Sequence, residues 1–257
     1  MKLAILTPNR IQSRILINAL QKKGVFLTVI FYSQKNKATP FFDLQKIKKA
    51  IKSTLFYFKD EERIRRVRDK NEHNALKALS DYALRNKIST EFENQCFHVD
   101  DVNSNQTLEI LKSNNIEVLF IWGIPILKKP VIESVPIVLN AHSSVLPEYR
   151  GAKSEFWQFF HQDFNHAGIT IHKVDVGVDT GDIGVQIRSK ASDLETPEYL
   201  KMLNAIRVIE AFPKFFNDLE NQQVEWVRQE DLQKPKSKTY RMKDVGMAQL
   251  RSVYLKS

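Results

Sequence analysis

The first 32 residues constrain the fold more than any other stretch of the chain. Residues 2–7, KLAILT, are a short, almost wholly apolar run. Residues 11–23 put Ile11, Ile15, Leu16, Ala19 and Leu20 on one helical face, with Gly24 as a stop. Residues 25–32, VFLTVIFY, make a second buried strand. Strand, helix and strand in this order predict a parallel sheet with helices on its faces, because parallel neighbours need a crossover element. The turn between strand and helix, TPNRIQSR, holds no glycine. That excludes the dinucleotide fingerprint G-x-G-x-x-G and the P-loop, whose glycines let backbone approach phosphate closely.

The remaining pattern extends this layout. Residues 61–86 read as one long helix, 95–99 as a short strand, 107–112 as a helix and 116–122 as a strand ending at Gly123. Residues 137–142 read as a strand, 154–164 as an aromatic-rich helix, and 167–174 and 184–187 as two more strands. The Thr196-Pro197 pair sits at the head of a helix over 195–219. The stretch 224–257 reads as a basic tail with one strand-like piece, VEWV. The expected organisation is a domain over 1–190, with a loop at 35–40 and a helical insertion at about 40–93. An appendage of helix and short strand then follows over 191–257.

Composition narrows the functional classes. A hydrophobic share of 42% with 27% charged residues is that of an ordinary globular chain. Cys96 is the single cysteine, so no intrachain disulfide forms and a reducing cytoplasm is expected. No signal-peptide core opens the chain, and no apolar run approaches the roughly 18 residues of a membrane span. The net charge of +9 suits nucleic acid, anionic lipid or a phosphorylated small substrate. Part of it lies in 46–68, KIKKAIKSTLFYFKDEERIRRVR, which reads as a solvated helix face or an anion-binding one. Its Leu55, Phe56, Tyr57 and Phe58 read as core anchors or a partner surface.

Ligands of open α/β sheets bind beyond the carboxyl ends of the strands. Three such ends carry unusual residues: Trp122-Gly123-Ile124-Pro125, Asn140-Ala141-His142, and VDVGVDTGD over 174–182. Residues i and i+2 of a strand share a face, so Asn140 and His142 either project into one cleft or serve as a turn cap and a surface histidine. In a cleft, the amide donates to a developing oxyanion and the imidazole moves a proton. Asp175, Asp179 and Asp182, with Gly177 and Gly181 among them, form either an acidic turn or a loop whose carboxylate holds the histidine. Ser143 and Ser144 lack a G-x-S-x-G elbow, which disfavours a covalent serine intermediate. His161 and His166 have the wrong spacing for H-E-x-x-H, and there is no C-x-x-C, so no metal is expected. Phe156, Trp157, Phe159 and Phe160 read as core, and no RNA-binding signature is present.

Taken in order, these motifs resemble the N10-formyltetrahydrofolate-dependent formyltransferases. That pattern is Asn140-x-His142, then Ser144-Val145-Leu146-Pro147-Glu148-Tyr149-Arg150-Gly151, Gly168-x-Thr170-x-His172 and Asp179-Thr180-Gly181, within about 115–187. The resemblance implies a Rossmann-like α/β fold, a mostly parallel sheet with helices on both faces plus a small C-terminal helix and tail. It implies catalytic roles for Asn140, His142 and Asp179. It implies a folate site at Ile121, Trp122, Gly123, Ile124, Asp175, Val176 and Gly177, and substrate contacts at Arg150, Gly151 and Lys153. The formyl donor would be N10-formyltetrahydrofolate, with no metal. After the last motif, near Ile187, too little chain follows for the C-terminal barrel of the methionyl-tRNA enzymes. Size and the RGAKSEFW segment instead resemble the stand-alone sugar-nucleotide N-formyltransferases, which formylate a dideoxy amino sugar for surface glycans such as lipopolysaccharide. The expected partners are then a sugar nucleotide and folate, with neither nucleic acid nor membrane, and a homodimer is compatible. The alternatives are a methionyl-tRNA formyltransferase-like enzyme and a non-catalytic, basic nucleic-acid-binding protein of the same fold.

Overall fold

The computed structural model describes residues 1–33, 51–190, 195–232 and 238–255, with side chains from residue 59 onward in the long helix. The expected loop at 35–40 lies outside the described residues, as do the start of the 46–68 basic run and its four apolar side chains.

Seven strands form one sheet in the order β3-β2-β1-β4-β5-β7-β8. β1 (Leu3–Pro8), β2 (Leu27–Tyr32), β3 (Phe97–Val99), β4 (Val118–Ile121) and β5 (Ile137–His142) are parallel, and β7 (Gly168–Lys173) and β8 (Ile183–Arg188) add an antiparallel edge. β1 and β4 are buried along nearly their whole length, which is why they read as unbroken apolar runs rather than alternating ones. The sheet is the α/β, mostly parallel one expected.

Helices cover both faces. Leu3, Ile5, Phe31, Phe120, Leu139 and Ala141 pack with residues of α1 (Ile11–Lys22), α2 (Ile51–Arg85) and α6 (Pro197–Glu220). Ala4, Leu6, Ile30, Leu119, Ile121 and Val138 pack with α3 (Asn105–Ser113) and the short α4 (Lys129–Ile132). Phe120 and Phe212 lie with ring centroids 4.0 Å apart at the centre of the first core. α6 begins where Thr196 Oγ1 accepts from the Tyr199 N–H at 3.1 Å, followed by Pro197, as its start signal predicts.

The glycine-free first turn is held by hydroxyls. Thr7 Oγ1 lies 2.8 Å from Ser13 Oγ and donates to the Trp122 carbonyl at 3.0 Å, tying the end of β1 to the end of β4.

The chain departs from the expected elements in three places. The long helix is described over 51–85, so it takes in residues 51–60 ahead of the 61–86 stretch and lies within the helical insertion expected at about 40–93. α5 (Ser154–His161) stops short of 164, because Gln162 turns into the left-handed region at φ 54° and a 3-10 turn follows. VEWV is not a strand, and Val227 makes only an isolated bridge to Ile183. The tail instead contributes β9 (Thr239–Tyr240) and α7 (Met247–Tyr254), with β9 pairing in parallel with the two-residue β6 (Arg150–Gly151). Two-residue strands and a half-buried helix carry too little periodicity to be read locally.

Candidate active site

β5 ends at the sheet's carboxyl edge with alternating directions. Leu139 and Ala141 enter the α1–α6 core, so Asn140 and His142 face the other way together. The antiparallel pairing of β7 sets His172 directly opposite Asn140 and Thr170 opposite His142. Thr170 Oγ1 donates to the Ser144 carbonyl at 2.7 Å and accepts from the Leu146 N–H at 3.0 Å. These bonds pin the loop after β5, which contains a cis Leu146–Pro147 bond, to β7.

The loop after β7 delivers Asp179 to this face. Its Oδ1 accepts from Asn140 Nδ2 at 3.3 Å and lies 3.5 Å from His172 Nε2. Its Oδ2 accepts from the Gly151 N–H at 2.7 Å and lies 3.3 Å from His142 Nδ1. The opposite nitrogen of His142, Nε2, lies 2.8 Å from the Tyr149 carbonyl and 3.2 Å from Ser154 Oγ. The ring therefore has an acceptor on each side, a setting suited to donation from both nitrogens. Burial on its own lifts the Asp179 carboxyl, but the facing His142, then His172 and the Gly151 N–H, more than reverse this. The carboxyl is held well below the usual carboxylate range. His142 is 7% exposed, whereas Asn140 is half-buried.

Asn140, His142 and Asp179 thus converge within hydrogen-bonding distance. Gly151 joins them through its N–H, and Arg150 next to it donates through Nε and Nη2 to Gln229 Oε1 at 3.2 and 2.6 Å. Lys153 precedes α5 at φ 62° and is exposed. Displacement of water by surrounding protein, then Arg68 and Lys201, push its ammonium below the ordinary range. Ile121 is buried in the second core, and Ile124 and Val174 pack against the same core. In the sheet β5 lies between the ends of β4 and β7. Gly123 (φ 67°) has open space where a side chain would stand, and Gly123, Asp175, Val176 and Gly177 are exposed. Val176 is 76% exposed.

Reading by sequence gave no site role to three members of this assembly. His172 was visible within its motif, but its place opposite Asn140 depends on the β5–β7 register. Ser154 acts through the Tyr149 carbonyl, to which it donates at 2.9 Å, and has no signature. Gln229 lies in the tail. No group of three or more His, Cys, Asp and Glu able to hold a metal ion occurs among the described residues. No described helix is long and apolar enough to cross a membrane.

Residues 1–210 match the formyl transferase family model. The chain belongs to that family. Among curated relatives, the methionyl-tRNA formyltransferase of Caldicellulosiruptor saccharolyticus is 36% identical over 117 residues, 42% of this chain and 37% of that protein. That of Syntrophus aciditrophicus is 42% identical over 82 residues, 31% of this chain and 26% of that protein. The matched part of this formyl transferase thus spans about a third or less of those relatives' length. Among solved structures, a sugar N-formyltransferase from Shewanella sp FDAARGOS_354 superposes with TM-score 0.61 at 12% identity, covering 99% of this chain and 87% of that one. The N-formyltransferase from Helicobacter canadensis, in complex with folinic acid and dTDP-3-aminofucose, superposes with TM-score 0.58 at 18% identity, covering 96% and 72%. At these identities the superpositions establish the shared Rossmann-like fold.

Proposed function

We propose that this formyl transferase moves a formyl group from N10-formyltetrahydrofolate to the primary amine of a nucleotide-linked amino-dideoxy sugar. The observation that carries the reading is the convergence of Asn140, His142 and Asp179 at one strand end. The formyl donor, a substrate, fits along Ile121–Ile124 and 175–177. The acceptor amine attacks the formyl carbon, and negative charge builds on the formyl oxygen. Asn140 Nδ2 and a His142 N–H donate to that oxygen, each exchanging one of its present protein partners for it. His142 gives its proton to the departing folate nitrogen as the formyl carbon–nitrogen bond breaks and takes one back from the attacking amine, while Asp179 balances the positive charge on the ring. Arg150, Gly151 and Lys153 border the acceptor side, and the basic chain suits an anionic nucleotide and a polyglutamate tail.

The sugar assignment is supported by alignment of sugar N-formyltransferases over nearly the whole chain, tail included. A second reading, formylation of methionyl-tRNA, is favoured by the identity of the curated relatives over the motif region. The deciding experiment supplies N10-formyltetrahydrofolate with a panel of amino-sugar nucleotides and, separately, charged initiator tRNA, and follows product mass. Formylated sugar nucleotide supports the proposal. Formylated tRNA alone assigns the second reading. No product, with RNA bound equally by the chain and by Asn140→Ala, points to a non-catalytic binding protein.

A further inference from the structure

The geometry points to Gln229 as the positioning residue of the catalytic loop, acting from beyond the family's matched region, which ends at residue 210. The inference rests on Asp179 belonging to the formyl-transfer site. Gln229 opens a short 3-10 turn in the tail and is 6% exposed. Its amide nitrogen donates to the carbonyls of Asp179 at 2.9 Å and Gly181 at 2.8 Å. Its amide oxygen accepts both bonds from Arg150. Every hydrogen-bonding direction of one side chain is thereby used on the two segments that meet at Asp179.

These bonds close a ring. Asp179 Oδ2 takes the Gly151 N–H, Arg150 adjoins Gly151, Arg150 reaches Gln229, and Gln229 returns to the Asp179 carbonyl. Asp179 needs such support, because its φ of 52° lies in the left-handed region, which a non-glycine residue occupies stably only when its surroundings fix it. Gln229 fixes the carbonyl, and the side chain of the same residue then faces His142. The tail's amide thus sets the distance between Asp179 and His142 without touching substrate.

Two substitutions separate this role from simple packing. Gln229→Glu keeps an oxygen towards Arg150 but turns a second oxygen, in place of the N–H donors, on the Asp179 and Gly181 carbonyls. Gln229→Met keeps the shape and removes both functions. Glu230→Gln, at an exposed neighbouring position, is the control. Hydrogen exchange of 175–183, which needs no acceptor, is measured beside Tm, kcat and KM. Both Gln229 variants are expected to raise exchange locally at 175–183. Both are expected to lower kcat by on the order of a hundredfold with KM for the formyl donor little changed, as a displacement near 1 Å does. Gln229→Glu matching the unaltered chain in loop exchange overturns the inference, since Gln229 would then only anchor Arg150. A rise in exchange spread evenly over the sheet also overturns it, since the residue would then be holding the fold at large. If the unaltered chain formylates no acceptor, the functional reading fails, while the exchange result still decides the role of Gln229.

Discussion

Replacing Asp179 with asparagine changes shape hardly at all and charge completely. Each carboxylate oxygen now faces a donor: Gly151 N–H and His142 Nδ1 on one side, Asn140 Nδ2 on the other. An amide has one oxygen and one NH2, so in either orientation its NH2 meets a donor that it cannot satisfy. Losing a charge-assisted bond costs about 1.5–3 kcal/mol, and stranding a buried donor about 1–3 kcal/mol. Asp179→Asn should therefore lose about 3 kcal/mol at neutral pH, a fall in Tm of roughly 6–12 °C for a chain of this size. The deficit should depend on pH with a defined sign. The folded-state pKa of Asp179 lies below its ordinary value of 3.8, so its contribution is complete above 3.8 and is lost as pH falls through the folded value. Thermal unfolding of both proteins, scanned from neutral into strongly acidic buffer, should show the gap closing only below that value. A variant as stable as the unaltered chain at neutral pH, or a gap that persists undiminished in acid, refutes the electrostatic account of this site.

Three further outcomes are expected. Gly151→Ala places a Cβ 2.2 Å from the Tyr240 carbonyl at a φ of 88°, so the β6–β9 pairing should open. It should cost about 2–3 kcal/mol, read as faster hydrogen exchange over 238–255. Thr170→Val removes the hydroxyl shared by the Ser144 carbonyl and the Leu146 N–H and should cost about 2–3 kcal/mol in denaturant unfolding. Asn140→Ala should lower kcat about a hundredfold in the formylation assay while leaving Tm close to that of the unaltered chain.

The parallel sheet and the shared face of Asn140 and His142 were legible because both follow from short-range rules: unbroken apolar runs, one crossover helix, and alternation along a strand. Asp179 was legible only as part of an ordered motif set, since an acidic turn has no periodicity of its own. His172 needed the antiparallel register of β5 against β7, which depends on sheet order rather than on local pattern. Gln229 was out of reach. It meets Arg150 across a separation of 79 residues, and a glutamine in a polar stretch looks the same whether solvated or buried. Its burial follows from the tail folding back over the loop, where Tyr240 stacks on Trp157 and Tyr149 with centroids 4.5 and 5.7 Å apart.

The strand pair between Arg150–Gly151 and Thr239–Tyr240 also sets an order of events during synthesis. A ribosome adding about 5–20 residues per second reaches Gln229 roughly 3–10 s after Asp179, and β9 later still. Until then the nascent chain carries its amide, imidazole and carboxylate without the segment that braces them. A message cut short, or a protease acting between α6 and Gln229, would leave a chain with the family's motifs intact and its chemistry unassembled.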